Sequence, residues 1–510
     1  MALIILGLDG MNEELLELCK ESMPYLYSLR DRSFHATLKG VNPYLSGSSW
    51  TSIFTGKSIG KHGFVANCFY DKEGELQLVK EEDITEEFFY ETIEKANNKM
   101  FLMDLPFSRS TKIKGDIVRN IFDASTVQGT CKPGSLKSKF PSINDYINTK
   151  WKAKSILGAL EHMDQTVINN QKILKEVMLH NKKTKEYDLL FFQFAVIDWI
   201  QHKVLLDLIA KKNSAETKIA KKTLTRIDNI IKWMIEEIQS EDDFMLFSDH
   251  GSSIFDGVLH INCLLKQNGY LIEKTTVQDK DGNSKAIKYK KTEIFFDYLV
   301  KKIKEYGPLH NLSKKWYRLI RGYLPYDPVN KKGLKIDRNL TKAVAELKHV
   351  TIIKLLEENK EQREKTKEEI KKIIETELDL RCYNTEDYYS VSDPKKIETL
   401  HRRFGHILIE IIDKYDFDNV ITDKTIIHKK AQFHDSKAFF LAYTKNNDPE
   451  KTEIGKRITG EMCDIAPTVL DYFSIPNNLD GKNLNVFNRT YNQVRPKRNP
   501  TERIFKKLKI

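Results

Sequence analysis

Three apolar runs in this chain end in aspartate, and they limit the folds open to it more than any other feature. Residues 2–8 read ALIILGL and are followed by Asp9, residues 187–198 read YDLLFFQFAVID, and residues 242–250 read DDFMLFSDH. A short apolar run closed by a polar residue is the pattern of a strand covered on both faces in a parallel sheet. Helical stretches lie between these runs, among them residues 12–32 (NEELLELCKESMPYLYSLRDR) and residues 220–239 (AKKTLTRIDNIIKWMIEEIQ). The alternation predicts an α/β fold with a mostly parallel central sheet flanked by helices. In such sheets the ligand crevice lies beyond the carboxyl ends of the strands. Asp9, Asp198 and Asp249 are therefore expected at one edge.

From about residue 265 to 430 the pattern changes to lysine-rich polar segments and a helix-like stretch, NKEQREKTKEEIKKIIETEL, with few long apolar strands. This predicts an inserted helical or mixed accessory (cap) region. The first part of the core spans residues 1–264, and its final part, 431–490, resumes near AQFHDSKAFFLAYT and CDIAPTVLDYFSI. Acidic and basic residues of the charged stretch sit at spacings that support one another on a helix surface, so it reads as a solvated face. No internal repeat is evident.

Composition narrows the class further. The 510 residues, 40% of them hydrophobic, suffice for at least one sizeable core. The six cysteines are widely spaced, with no C-x-x-C pair, which points to a reducing compartment. The first residues lack the basic segment of a signal peptide, and no run approaches the roughly 18 apolar residues of a membrane span. The expected location is therefore cytoplasmic, with no transmembrane segment. A formal charge of +11 favours anionic partners. Part of it lies in a basic tail, residues 491–510, where Ile504, Phe505 and Leu508 alternate with Lys and Arg in RPKRNPTERIFKKLKI. That pattern suits either an anionic membrane surface or nucleic acid, and equally a solvated chain end.

Chemistry-bearing residues gather at the predicted strand ends. Asp198 and His202 are four apart in DWIQH, where a strand gives way to a helix, so both can face one side of its first turn. Asp249 and His250 are adjacent before a turn at Gly251, and His434 precedes another apolar strand. Carboxylate and imidazole are ligands for zinc, manganese or iron in hydrolytic sites. Each pair alone is ordinary at helix and loop ends; their convergence on one edge is not. Two cations roughly 3.5 to 4 Å apart suit phosphoryl transfer. Residues 45–63, LSGSSWTSIFTGKSIGKHG, supply hydroxyls ahead of a glycine-rich turn. GKSIGK is not a phosphate-binding P-loop, because its glycines enclose three residues rather than four and His follows the second lysine.

In its motifs the sequence resembles the alkaline phosphatase superfamily, in particular the type I phosphodiesterase/nucleotide pyrophosphatase-like branch of phosphohydrolases. The segments that carry the resemblance run in order along nearly the whole chain: GLDG, MPYLYSL, SWTSIFTGKSIGKHGF, DLPFS, DWIQH, SDHG, LHINCLLKQNGYL, IDRNLTKA, FHDSKAFFLAY and DIAPTVLDYF with LDGKNL. The resemblance implies an alkaline phosphatase-like core and two divalent metal ions, Zn or Mn. Asp9, Asp249 and His250 would hold one ion together with the nucleophile oxygen, and Asp198, His202 and His434 the other. The family's hydroxyl nucleophile lies ten residues before the glycine of its TG pair, which gives Ser46 counted back from Gly56. Relatives usually have threonine there and often proline two residues on, where this chain has Ser48. Nucleotide pyrophosphatases often place an asparagine where Ser49 stands, so Ser49 takes the expected phosphate-binding position. Lys57 and Lys61 read equally as phosphate contacts or as solvated side chains, and Trp50 to Phe54 are expected to begin the helix that positions Ser46.

The activity implied is that of a metal-dependent phosphoric ester hydrolase acting on a small phosphate-ester substrate, a diesterase before a phosphomonoesterase or phosphotransferase of the same superfamily. A sulfatase would need C-x-P-x-R or S-x-P-x-R, and SGSSW has neither the proline nor the arginine. The reading from a different class is a non-catalytic scaffold that binds anionic membrane or nucleic acid.

Overall fold

The computed structural model describes residues 1–40, 42–80, 83–107, 113–119, 130–148, 153, 155–274, 276–278, 284–286, 336–410, 414–445 and 457–487. The basic tail, with its expected membrane or nucleic-acid contacts, and much of the lysine-rich middle lie outside the described residues.

Leu3–Leu8 is buried at every position. Its side chains alternate between two cores: Ile4, Leu6 and Leu8 join one, Leu3 and Ile5 the other. Alternation at period two is what a strand gives, and full burial is worth roughly 1.5–3 kcal/mol for each large apolar side chain. Leu189–Phe194 and Asp243–Phe247 repeat the pattern. These three strands are neighbours and parallel, with Leu8 opposite Phe194 and Gly7 opposite Phe247.

They form the middle of a nine-stranded sheet. From one edge it runs Arg457–Glu461, Phe34–Lys39, Lys437–Thr444, Asp243–Phe247, Leu3–Leu8, Leu189–Phe194, Met100–Met103, Asp116–Arg119 and Thr130–Lys132. Lys437–Thr444 and the edge strand Thr130–Lys132 run antiparallel to their neighbours; the other pairings are parallel. One face is covered by Ile156–Thr184, Val196–Ile209 and Ala215–Glu237, the other by Ser46–Thr55, Phe89–Lys95 and Ile465–Tyr472. The stretch at residues 12–32 is two helices, Glu13–Leu18 and Pro24–Arg30. Pro24 has no amide hydrogen and starts the second helix at its first turn.

The chain leaves this sheet after Asp243–Phe247 and returns through the adjacent strand Lys437–Thr444. Between them, Gly251–Phe255 pairs antiparallel with Ala431–Asp435, placing Ser252 opposite His434. A four-stranded sheet (Ala343–Val344, Ile352–Leu355, Ile407–Ile409, Cys382–Asn384) and the helix Lys360–Leu378 follow. They share a third core with Leu259, Ile261, Leu264 and Leu265, so the segment just after residue 256 packs with the inserted elements. The charged helix buries Ile370 and Ile374 there.

Candidate active site

Because Leu3–Leu8, Leu189–Phe194 and Asp243–Phe247 are adjacent and parallel, their carboxyl ends share one edge. Asp9 follows its strand directly, and Asp249 and His250 come just after Phe247. Asp198 sits not at a strand end but in the first turn of Val196–Ile209, one turn before His202. His434 arrives on the ladder whose other strand begins immediately after His250. Two groups result: Asp9, Asp249 and His250, and Asp198, His202 and His434, each with its ligand atoms within 4.8 Å of one another. His250 and His434 stack at 3.6 Å between ring centroids, which joins the groups.

Hydrogen bonding orients each histidine. Nδ1 of His250 meets the Gly251 carbonyl at 3.0 Å, Nδ1 of His434 the Tyr44 carbonyl at 2.8 Å, and Nδ1 of His202 the Gln432 side-chain oxygen at 3.1 Å. Those partners only accept, so Nδ1 carries the proton and Nε2 turns a lone pair inward. His202 Nε2 and His434 Nε2 lie 3.0 Å apart, and each is 3.2 Å from Asp198 Oδ1. His250 Nε2 lies 3.5 Å from Asp9 Oδ1 and 3.3 Å from Asp249 Oδ2. Those three carboxylate oxygens are buried and have no hydrogen-bond donor.

The outer oxygens of the first group are held: Asp9 Oδ2 accepts from Trp50 Nε1 and Gln193 Nε2, both at 3.1 Å, and Asp249 Oδ1 accepts from the Gly10 amide at 3.2 Å. Buried acceptors facing only one another cost free energy unless something positive lies between them. The donor set of carboxylate oxygen and imidazole nitrogen, with each imidazole anchored through its other nitrogen, fits divalent metal ions.

Proton affinities follow the same arrangement. Burial, then the carboxylates of Asp249 and Asp198, holds Asp9 well above the ordinary range. Burial and Asp198 push Asp249 up to about 8. Burial also acts on Asp198, but His202 and His434 outweigh it and hold Asp198 low. Burial depresses His250, with His434 adding to the effect, whereas Asp198 overcomes burial at His202 and raises it.

Ser46 is the first residue of the helix Ser46–Thr55, which is capped at its far end by Gly56 in the left-handed conformation, φ 60°. The helix thus begins at Ser46 itself, ahead of Trp50. Ser46 Oγ lies 3.1 Å from His250 Nε2. Ser48 Oγ is bonded to the Pro43 and Leu45 carbonyls, both at 3.0 Å. Ser49 is fully buried and its Oγ has no hydrogen-bond partner. Gly47 is needed where it stands, since a Cβ there would lie 2.2 Å from Asn67 Oδ1 and 2.6 Å from Phe64. An asparagine therefore does approach this helix end, from position 67 rather than 49.

Lys57 is not brought to the cluster. It follows the C-cap of a ten-residue helix, about 15 Å long at ~1.5 Å per residue, and its Nζ donates to the Asn478 carbonyl at 2.6 Å. Lys61 pairs with Asp480. Gln193 and Asn67 were not singled out from the sequence; Gln193 could have been found as the lone polar residue within LLFFQF, since a buried amide needs a partner, whereas Asn67 carried no such signal.

Fold and edge together define an α/β protein of alkaline phosphatase-like architecture with two aspartate–histidine groups around a helix-borne serine. The family model for type I phosphodiesterase / nucleotide pyrophosphatase matches residues 3–437, and the chain belongs to that family. Membership places it among phosphoester hydrolases. Among solved structures, the alkaline phosphatase PafA is similar at 13% identity over 95% of this chain and 98% of that one, TM-score 0.52. Phosphonoacetate hydrolase from Sinorhizobium meliloti 1021, in complex with phosphonoformate, is similar at 12% identity over 91% and 94%, TM-score 0.50. Murine ectonucleotide pyrophosphatase / phosphodiesterase 5 matches at 12% identity over 94% and 98%, TM-score 0.46. A search of curated protein sequences finds no match. No helix among the described residues is long and apolar enough to cross a membrane.

Proposed function

We propose that the chain is a phosphodiesterase in which Ser46 attacks the phosphorus of a small phosphate ester beside two divalent cations, Zn or Mn. The observation that carries the proposal is the convergence of three buried carboxylate oxygens that have no donor with three inward-facing imidazole Nε2 atoms, Ser46 Oγ lying 3.1 Å from one of them. Asp9, Asp249 and His250 would hold one cation, and Asp198, His202 and His434 the other. Bound there, the cations supply positive charge for the oxyanions of phosphoryl transfer and acidify a hydroxyl at neutral pH.

The chain's own groups do the rest. Ser46 sits where the first amides of its helix have no intrahelical acceptor, a setting that favours a phosphate. Asn67 is assigned to a non-bridging oxygen. A bond forms from Ser46 Oγ to phosphorus while the phosphorus–ester oxygen bond breaks, its electron pair leaving on the ester oxygen, which takes a proton and departs as the alcohol. The phosphorus on Oγ still carries the diester's second ester group; water then attacks it, the phosphorus–Oγ bond breaks, a water proton returns to Ser46 and the phosphate monoester leaves. The family supports a diester over a monoester.

Hydrolysis of aryl phosphate mono- and diesters in the presence of Zn or Mn tests this. Wild-type protein should turn over the diester, and Ser46→Ala should lose about a thousandfold or more. Full turnover by Ser46→Ala would remove the nucleophile from the proposal.

A further inference from the structure

The imidazoles of His250 and His434 are the inner end of a longer column. Phe433 lies against His434 with ring centroids 4.2 Å apart and planes 11° apart, and His349 lies against Phe433 at 3.4 Å and 8°. With the 3.6 Å and 15° between His434 and His250, four rings stack in near-parallel planes. The outer ring is pinned. His349 Nδ1 lies 2.7 Å from Asp416 Oδ1, which also accepts from the Phe417 amide at 2.7 Å. Both side chains are 9% exposed.

Two more features show that His349 is held in place. Its backbone has φ 59°, a left-handed conformation that costs a non-glycine residue free energy and persists only where the surroundings enforce it. Its amide is bonded to the Phe417 carbonyl at 3.0 Å, so backbone and ring are tied to the same strand, Tyr415–Asp418.

We infer that His349 and Asp416 are a positioning pair, which fixes through Phe433 the ring planes of His434 and His250 and so sets how tightly the cluster holds a cation. A metal ligand's ring orientation matters because the Nε2 lone pair points along one direction in the plane of the imidazole. The Tyr44 carbonyl fixes His434 at Nδ1 but leaves the ring free to tilt about that bond. The stack removes that tilt. His349 suits the outer position better than phenylalanine because only it can donate to Asp416, and better than alanine because only a ring carries the contact onward. The inference rests on the two-cation reading of the site.

Cobalt(II) titration of the full chain tests it, followed by visible absorption, whose intensity reports ligand geometry, and by affinity. Wild type should bind two ions. His349→Ala should bind one of them about 10–100-fold more weakly, the range expected when an outer support of a metal ligand is lost, with an altered absorption envelope. His349→Phe should recover most of the affinity, and Asp416→Asn should lie between. An unchanged affinity and spectrum in folded His349→Ala overturns the inference while leaving the two-cation site intact. If His349→Ala does not fold, Asp416→Asn decides by the same readings, and a wild-type affinity and spectrum for it overturn the inference. A wild-type protein that binds no cobalt overturns both readings.

Discussion

The two aspartate–histidine groups have the same ligand types and opposite electrostatics. Asp9, Asp249 and His250 are sealed: His250 and Asp249 are fully buried, and two carboxylates share a single histidine. Burial and mutual repulsion raise both aspartates. Asp198, His202 and His434 have the reverse ratio, one carboxylate to two histidines, and His202 remains 29% exposed. There the carboxylate is held low by its imidazoles. When ionised, the first group is an excess of negative charge, which protons or a cation relieve. The second is close to balanced and open to solvent, as suits a site where a group enters or leaves.

Removing one ligand from each group should separate them most sharply. In Asp249→Asn, hydrolysis of an aryl phosphodiester should fall about a thousandfold or more, because the serine side of the site loses its cation. His202→Ala should retain one tightly held ion per chain while losing turnover, measured by elemental analysis after gel filtration. Equal loss of both ions in both variants would erase the distinction. A smaller effect is expected at the support of Asp9. Trp50→Phe keeps the ring in its core, where it packs on Phe54, but deletes the donor to Asp9 Oδ2. Metal affinity at the first group should weaken by about 10–100-fold, with the second unchanged.

The smallest effect is on thermal stability. In the folded protein without cations Asp249 loses its proton near pH 8, in the unfolded chain near 3.8. A raised folded value favours the folded state below the unfolded value, and that advantage is lost as pH climbs to about 8; Asp9 acts in the same direction. Asp198, with its lowered value, acts in the opposite sense only as pH falls below 3.8. His250, His62, His349 and His406, held low by burial, act the other way as pH rises from 5 to 6.5, so the effect is read against Asp249→Asn: between pH 5 and pH 8 the cation-free wild type should lose several degrees relative to that variant. A melting temperature that changes between pH 5 and pH 8 in Asp249→Asn just as it does in the wild type would contradict the reading of the first group.

The contrast also explains what could be read from the sequence. The sheet was legible because Leu3–Leu8 and its two neighbours are apolar throughout, and a strand buried on both faces leaves no other pattern. Asp9, Asp249 and His250 were legible because they follow such strands, and Asp198 and His202 because their four-residue spacing puts them one helical turn apart; Ser46 was legible only through the family resemblance, counted back from Gly56. The grouping of carboxylates with imidazoles was implied by the resemblance, whereas the burial that sets their proton affinities, and the ladder that brings Ser252 opposite His434, were not legible. Lys57 was misplaced because a polar residue near a hydroxyl-rich motif reads as a ligand contact, while the helix between them carries it away from Ser46. Asn67 was missed because its approach to Gly47 is a tertiary contact without a local pattern.

Metal stoichiometry tests the central claim most directly. Wild-type protein stripped with a chelator and titrated with zinc should bind two ions per chain, the first more tightly, and Asp198→Asn should bind one. No binding, or two ions retained in a variant lacking ligands from both groups, would contradict a cation centre built from these residues.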